Sequence, residues 1–423
     1  MEGIKKNTVL DLFSGAGGLS EGFWQNGFDV VAHIEMDKDA CETLKTRAIY
    51  HQLKSTNQLD SYYSYAKGSL SREELVLEHQ LQDVMSSVIN AEINSKTYDG
   101  LLKKIQDRLG SRQLDGVIGG PPCQAYSNIG RARDKNGMVG DKRNLLYKFY
   151  LRFLKDLDPS FFVFENVPGI FSAGKGKYLK DMMKGMRALG YVVPTPQTIN
   201  MADYNIPQNR KRVIVVGWKP SLNLNIDALF KKPEHIEFTV GDFISDLKPL
   251  KAGGGSKLSE YEYCSKTLLK MGIVGGIDVV TDHISRPNNK RDKAIYKIAV
   301  KKFLKGERLN YNDLPENLKT HKNRSSFLDR FKVVPIDARA AQTVVAHISK
   351  DGHYYIHPDL KQNRSLSVRE AARLQTFADD YKFEGSRTAM YKQIGNAVPP
   401  LFADYLANSI RFQSELMELD LAI

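Results

Sequence analysis

The sequence predicts an α/β fold, in which helices cover both faces of a sheet of mainly parallel strands. Patterns typical of strands and helices alternate along residues 8–216, the usual order when each strand is followed by a helix that crosses the sheet. From about Trp218 onward, short segments and the glycine-rich stretch 252–256 replace this alternation. We therefore expect a second, smaller domain of irregular structure after the sheet.

The composition excludes several classes of protein. The chain has 423 residues, of which 42% are apolar and 26% charged, and these proportions are ordinary for a soluble globular protein. It has no run of 18 apolar residues, and its polar start, residues 1–7, is not a secretory signal. The three cysteines are far apart and match no metal-ligand spacing. We therefore expect a cytoplasmic protein with neither disulfides nor a bound metal.

The charge distribution predicts a polyanionic partner. The formal net charge is +12, and 13 Lys or Arg residues stand against 5 Asp or Glu residues between Arg286 and Arg330. A solvated helix face normally mixes both signs, whereas a surface that binds phosphates does not. Nucleic acid is the polyanion that fits this pattern most simply.

The first strand and the turn after it are typical of a nucleotide-binding unit. A strand pattern over residues 8–13 runs into a glycine-rich turn, residues 14–18, and missing side chains in such a turn let a ligand lie against the backbone. The second strand, residues 29–34, ends in Glu35, which lies 17 residues after the turn. Such folds hold ribose hydroxyls with an acid at about this spacing. An ordinary tight turn beside a surface glutamate is the alternative.

A rigid turn places one cysteine at the end of a buried strand. The short apolar run 117–118 is followed by residues 119–122, Gly-Gly-Pro-Pro, and Cys123 comes next. Glycine and proline end the strand and fix the chain, which would hold the sulfur where a loop can offer it to a substrate. The alternative is a small buried cysteine with no chemical role, the more usual state of a free thiol.

Charged side chains flank two later strands. Glu165 follows the apolar run 161–164, and a carboxylate in that position lies on the ligand-binding edge of an open α/β sheet. A solvated turn residue is the equally simple alternative. Arg210 and Arg212 precede the run 213–216, and alternation along an extended chain predicts that both face the same side. Two guanidinium groups there would suit an anionic or carbonyl-rich ligand.

Apolar spacing and turn residues predict the remaining helices and strands. Most of their apolar side chains are expected to pack in the core. The predicted elements are a capping box at 71–74, helical spacing across 77–89, helices at 101–109 and 145–157, strand patterns at 343–346 and 354–356, a capped helix at 367–375 and an amphipathic last helix.

Six stretches, taken in order, make the sequence resemble the DNA (cytosine-5)-methyltransferases of bacterial restriction-modification systems. They span nearly the whole chain and leave a variable region after Arg212. The six stretches are 11–18, 121–124, 165–167, 208–212, 364–377 and 393–398. The resemblance implies the Rossmann-like fold of S-adenosylmethionine-dependent methyltransferases. In that fold a mixed sheet carries helices on both faces, and a smaller, irregular target-recognition domain is added.

The resemblance also implies a catalytic mechanism. The Cys123 thiolate would add to carbon 6 of cytosine and make carbon 5 nucleophilic enough to accept a methyl group. Glu165 would contact N3 as the acid, and Arg210 and Arg212 would lie near the cytosine carbonyl and favour the thiolate. Loss of the proton from carbon 5 and expulsion of Cys123 would then release 5-methylcytosine.

The methyl donor implied is S-adenosylmethionine. Glu35 would bind the ribose hydroxyls, and Met36 would lie on the adenine face. The adenine amino group would meet Glu92, with Asp99 as the competing acid. The other predicted cofactor-binding residues are Phe13, Gly15, Gly17, Gly18, Leu19, Pro121, Asn396 and Val398.

The partner implied is double-stranded DNA, from which the target base is flipped into the site. The loop 124–141 would close over the flipped base. The predicted DNA-contacting residues are Pro122, Gln124, Ser127, Arg131 and Arg133.

The predicted catalytic domain comprises residues 1–222 and is completed by 386–423. Residues 223–385 would form the target-recognition domain, with the variable region at about 223–340. We expect a monomer associated with the nucleoid through DNA, and a cognate restriction endonuclease encoded nearby is the further partner that the resemblance allows.

Three other functions explain part of the pattern. A cytosine-5 RNA methyltransferase would share the scaffold, although the long basic variable region favours DNA. A catalytically silent DNA-binding homologue would not need Cys123, Glu165 and the two arginines together. A nicotinamide-dependent oxidoreductase would explain the glycine turn and Glu35 but not the turn before Cys123.

Overall fold

A seven-stranded sheet lies at the centre of the computed structural model, which describes residues 7–122, 145–320, 322 and 324–421. The strands in the first half of the chain are β1 (Thr8–Leu12), β2 (Asp29–Glu35), β3 (Val88–Asn90), β4 (Gly116–Gly119), β5 (Phe161–Asn166), β6 (Gln197–Asn200), β7 (Gln208–Asn209) and β8 (Lys211–Trp218). All of them except β7 form the sheet, in the order β3–β2–β1–β4–β5–β8–β6. Strands β1 to β5 are parallel, and β8 lies antiparallel between β5 and β6. The mixed sheet predicted from the sequence is confirmed.

Helices cover both faces of this sheet because successive strand residues point to opposite sides. Val117 and Phe162 belong to one apolar core, whereas Ile118 and Phe161 belong to the other. No helix in the described ranges combines the length and the apolar character needed to cross a membrane. The α-helices are Gly18–Gln25, Lys38–Ser55, Leu59–Ala66, Arg72–Glu78, Gln82–Ser86, Tyr98–Leu109, Leu146–Leu157, Lys177–Ala188, Ile226–Leu229, Lys266–Lys270, Lys290–Phe303, Val368–Leu374, Arg387–Asn396 and Pro400–Leu421.

The last helix packs directly against the first. Helices Gly18–Gln25 and Pro400–Leu421 approach so closely that a Cβ on Gly22 would lie 2.2 Å from the main-chain nitrogen of Asp404. The Asn26 side chain also donates a hydrogen bond to the Asp404 carboxylate at 2.8 Å. The first and last helices therefore form one layer on the same face of the sheet.

The second half of the chain is built from smaller elements. Strands β9 (Gly255–Ser259) and β10 (Val280–Ile284) form an antiparallel ribbon, and β11 (Ala341–Gln342) pairs in parallel with β7. One apolar core joins residues 238–274 to residues 334–397 and includes Ala16 from the glycine turn. This core also contains Met390 and Ile394, which lie beyond the predicted domain boundary at residue 385. The division of the chain into two domains therefore stays a prediction.

Two predictions of local structure are wrong. Helical spacing across 77–89 predicts a helix at Val88, but Val88–Asn90 is the edge strand β3. Val88 and Ile89 are β-branched and bury well on a sheet. The strand patterns at 343–346 and 354–356 are also not strands, because β11 ends at Gln342 and Ile356 makes only isolated bridges.

The predicted capped helix is confirmed as Val368–Leu374, with its capping box formed. Its Arg373 is fully buried and pairs with Asp379 at 2.6 Å and with Asp246. A buried guanidinium needs such partners because burial removes it from water. These ion pairs link the helix to the segments before and after it.

Candidate active site

A two-glycine turn lies where the carboxyl ends of β1, β4 and β5 meet. Gly119 has φ +131°, and a Cβ at this residue would lie 1.9 Å from the Leu12 carbonyl oxygen. A Cβ on Gly120 would lie 2.1 Å from the Glu165 carbonyl oxygen. Both positions therefore require glycine, and the turn is fixed between two neighbouring strands.

The residues that follow this turn, 123–144, lie outside the part of the chain that the structure describes. The predictions for Cys123, Gln124, Ser127, Arg131 and Arg133 fall there. The described chain before them is well held, since the Asn166 side chain donates a hydrogen bond to the Pro121 carbonyl oxygen at 3.2 Å. Pro122 is half-buried. The anchored residue, Pro121, lies two residues before Cys123.

Glu165 and Arg212 form an ion pair beside the turn. The Arg212 Nε donates to Glu165 Oε1 at 2.8 Å, and the exposed fractions of the two side chains are only 11% and 17%. The strands bring them together because Glu165 on β5 lies opposite Ile214 on the antiparallel β8. The other carboxylate oxygen lies over Gly120, 3.2 Å from the place of a Cβ. The two residues are 47 positions apart in the sequence, and the fold brings their side chains into contact.

Arg210 has different surroundings. Its side chain is completely buried, and its guanidinium donates hydrogen bonds to the carbonyl oxygens of Val344 at 2.7 Å and Ala397 at 2.8 Å. Arg210 and Arg212 therefore have different partners, and the chain pairs with β11 at Gln208–Asn209 before it joins the main sheet at Lys211. That both side chains face the same side stays a prediction. In this geometry Arg210 positions the backbone around Ala397.

The glycine turn after β1 is tied to the acid at the end of β2. The main-chain N–H groups of Gly15 and Asp37 donate to the two carboxylate oxygens of Glu35, each at 2.8 Å. Burial raises the pKa of Glu35, and these hydrogen bonds act in the opposite direction. A Cβ on Gly15 would meet nothing within 4 Å, and the neighbouring Met36 is 59% exposed. An open turn, an anchored acid and an exposed apolar side chain fit the predicted S-adenosylmethionine pocket.

The same turn contacts the segment around Val398, just before the last helix. A Cβ on Gly18 would lie 2.1 Å from the Val398 carbonyl oxygen, and Gly18 begins the first helix. Val398 is nearly buried, Leu19 packs in the core beneath it, and Asn396 is exposed. Two segments that sequence reasoning assigns to one pocket are therefore in contact.

Replacement of Gly18 by alanine should disturb this contact. Because the added methyl group would meet a main-chain oxygen, we expect the free energy of unfolding to fall by about 1–3 kcal/mol and the affinity for S-adenosylmethionine to fall with it. Urea unfolding and titration calorimetry measure the two effects. Gly100→Ala is the matched control, since a Cβ there meets nothing within 4 Å. A Gly18→Ala protein as stable as the wild type would contradict this packing.

The two acids proposed for the adenine amino group differ in position. Glu92 is exposed and follows β3, whose Asn90 pairs with Glu35 of β2. Asp99 instead pairs with Arg152 at 2.8 Å on a helical surface. The geometry favours Glu92, because it lies at the same edge of the sheet as Glu35.

Tyr381 is a supporting residue that sequence reasoning missed. Its hydroxyl donates a hydrogen bond to the Ala16 carbonyl oxygen in the glycine turn. Beneath it, Arg47 pairs with Glu21 at 2.6 Å and with Asp380 at 3.1 Å. A separation of 365 residues between Tyr381 and Ala16 leaves no local pattern from which this contact could be predicted.

The site geometry and the sequence can be compared with known families. A family model described as C-5 cytosine-specific DNA methylase matches residues 7–67 and 77–411. The chain belongs to this family. The resemblance predicted from the sequence is confirmed, and so is the enzyme class, a DNA cytosine-5-methyltransferase with S-adenosylmethionine as its methyl donor.

Relatives match this methylase over nearly its whole length. Type II methyltransferase M.Bpa9945I of Bacillus paralicheniformis is 42% identical, over 95% of this chain and 98% of its own length. Type II methyltransferase M1.HphI of Haemophilus parahaemolyticus is 30% identical, over 95% and 86%.

A solved structure described as a DNA modification methyltransferase encoded within an E. coli prophage has the same fold. It covers 96% of this chain and 99% of its own, with 24% identity and a TM-score of 0.63. The described ranges of the methylase contain no group of three or more His, Cys, Asp or Glu residues that could hold a metal ion.

Proposed function

We propose that the protein methylates carbon 5 of a cytosine within a specific double-stranded DNA sequence, through a covalent Cys123 adduct. The observation that supports this most directly is the Glu165–Arg212 ion pair, which lies beside the fixed glycine turn that leads to Cys123. An acid, a cation and the approach to a nucleophile thus share one edge of the sheet. Since a cytosine within a duplex cannot reach this edge, the target base is flipped out.

The first step joins the Cys123 sulfur to carbon 6 of the ring. With the cytosine bound, Glu165 carries a proton that it has taken from solvent. The electrons of the carbon 5–carbon 6 double bond shift toward carbon 4, and N3 takes this proton from Glu165. Arg212, bonded to Glu165 at 2.8 Å, stabilises the carboxylate that this transfer leaves. Carbon 5 is now the nucleophile.

S-Adenosylmethionine, when bound, would supply an electrophilic methyl group to carbon 5, and the sulfur–methyl bond would break to leave a neutral thioether. Solvent then takes the proton from carbon 5, the carbon 5–carbon 6 double bond forms again, and Cys123 leaves as the thiolate. N3 returns its proton to Glu165, so both protein groups regain their starting states.

The donor would be held at the glycine turn, with Glu35 on its ribose and Met36 and Glu92 around its adenine. Arg210 supports this pocket from behind through its bond to the Ala397 carbonyl oxygen. The other residues proposed to line it are Phe13, Gly15, Gly17, Gly18, Leu19, Pro121, Asn396 and Val398.

The protein is proposed to act as a monomer in the cytoplasm and as the modification half of a restriction-modification system. The names of two relatives, both type II methyltransferases, support the pairing with a cognate endonuclease. Residues 223–385 are proposed to read the DNA sequence. Pro122 and the segment after it would contact the flipped base.

Incubation with tritiated S-adenosylmethionine and duplex DNA tests this function. We expect tritium in 5-methylcytosine, and bisulfite sequencing of DNA from cells that express the protein should find it at one short sequence. Transfer RNA serves as the competing acceptor. Labelling of RNA but not of DNA would overturn the proposal.

A further inference from the structure

Helix Lys290–Phe303 has one buried face and one charged face. Ile295, Tyr296, Ala299 and Val300 are buried. They pack in a small core together with side chains from residues 309–331. The helix is therefore held firmly, and its outer face has a fixed direction.

Four lysines form a stripe along the outer face. At 100° per residue they fall within an arc of about 80°, whose centre lies about 130° around the helix from the centre of the buried side chains. Lys290, Lys297 and Lys301 are exposed and Lys293 is half-buried. Among the described residues, none of the ion pairs involves these four lysines. We call them the lysine stripe.

Several other cations of this basic segment have partners within the protein. Arg286 donates to the carbonyl oxygens of Ile348 and Ser349 at 2.8 and 2.7 Å. Arg330 is buried over the Tyr311 ring, 4.1 Å from its centroid. Further pairs are Lys302 with Asp313 at 2.8 Å and Lys319 with Glu316 at 2.6 Å. Many of the positive side chains in this segment thus interact with other groups of the protein, whereas the described residues form no ion pair with the lysine stripe.

The stripe is unfavourable in the isolated protein. Lys293 and Lys297, and likewise Lys297 and Lys301, are like charges four residues apart on a helix, a spacing that destabilises the helix. A solvated helix face would normally place an acid at one of these positions. The repulsion is relieved when a polyanion lies along the face.

We propose that the lysine stripe binds the phosphates of one strand of the DNA substrate, an inference that rests on the proposed function. Lys290 and Lys301 are 11 residues apart, which corresponds to about 16 Å along a helix. One strand of B-form DNA presents about five phosphates over that length. The stripe sets the position of the duplex and reads no bases, because lysine on a phosphate carries no sequence information.

The test compares three fourfold variants of the full chain. The first carries Lys290→Gln, Lys293→Gln, Lys297→Gln and Lys301→Gln, and glutamine keeps a helix propensity close to that of lysine. The control carries the same change at exposed lysines on two helices that cover the catalytic sheet. The control positions are Lys103, Lys104, Lys180 and Lys184.

Binding to a fluorescent duplex of random sequence is measured from about 50 to 300 mM salt. In the stripe variant the slope of log affinity against log salt should become shallower by about one per phosphate contact, roughly 2–4 in total. A fourfold Lys→Arg variant of the stripe should keep the wild-type slope. The control variant should change the slope by less than about 0.5.

Equal slopes in the stripe and control variants would overturn the inference. A stripe variant that methylates at altered sequences would also contradict it, because phosphate contacts should weaken binding without changing sequence preference. Failure of the proposed function gives a different result, since the wild-type protein would then form no 5-methylcytosine at any salt concentration.

Discussion

Replacement of Cys123 by alanine should abolish methyl transfer, with turnover lowered by on the order of 10⁴-fold or more. Carbon 5 of cytosine is a poor nucleophile until a thiolate adds at carbon 6, and alanine cannot add. Single-turnover transfer of tritium from S-adenosylmethionine to DNA measures the loss. DNA binding should persist, which separates a chemical defect from a failure to fold.

The other two cysteines, Cys41 and Cys264, are compared with Cys123 as candidate nucleophiles. Cys41 is buried, donates its S–H to the Glu35 carbonyl oxygen at 3.3 Å, and burial raises the pKa of its thiol to about 12. It therefore stays a thiol near neutral pH and cannot replace Cys123 as a nucleophile. Cys264 is exposed, and Cys264→Ala is the matched control that should methylate normally. Methylation that survives Cys123→Ala would refute the covalent mechanism.

Replacement of Glu165 by glutamine should lower turnover by about 10²- to 10⁴-fold, the usual contribution of a positioned acid. Glutamine keeps the size of the side chain but cannot transfer a proton to N3. It also leaves the nearly buried Arg212 beside a neutral amide. Single-turnover rates under saturating DNA and donor measure this effect on the chemical step.

The control for this substitution is Glu237→Gln, the same change at a side chain that is 89% exposed and pairs only with His235 among the described residues. It should leave turnover unchanged. If Glu165→Gln weakened only the affinity for S-adenosylmethionine and kept the rate of the chemical step, Glu165 would not be the acid.

Much of the fold could be predicted because it follows from local patterns. Strand, turn and helix in the first 35 residues occur as the apolar spacing predicts, and Glu165 was correctly placed at the carboxyl end of a buried strand. The edge strand β3 was missed because three β-branched and polar residues are too short a segment for periodicity to distinguish strand from helix.

The parts of the site that could not be predicted depend on pairing between distant segments. Arg210 and Arg212 are two residues apart, yet the strand pairing of Gln208 with Ala341 gives them separate environments. The hydrogen bond from the Tyr381 hydroxyl to the Ala16 carbonyl oxygen also follows from no local sequence pattern. Such contacts depend on the tertiary arrangement, to which local propensity is a weak guide.

The contact between the first and last helices has a consequence for synthesis. Helix Gly18–Gln25 is made early, but Pro400–Leu421, which covers it, is translated roughly 20 to 75 s later at 5–20 residues per second. During that interval Leu19 and Phe23 lack the apolar side chains that the last helix adds to their core in the finished protein. A nascent chain should therefore depend on chaperones, and DNA modification should begin only after the ribosome has finished this helix.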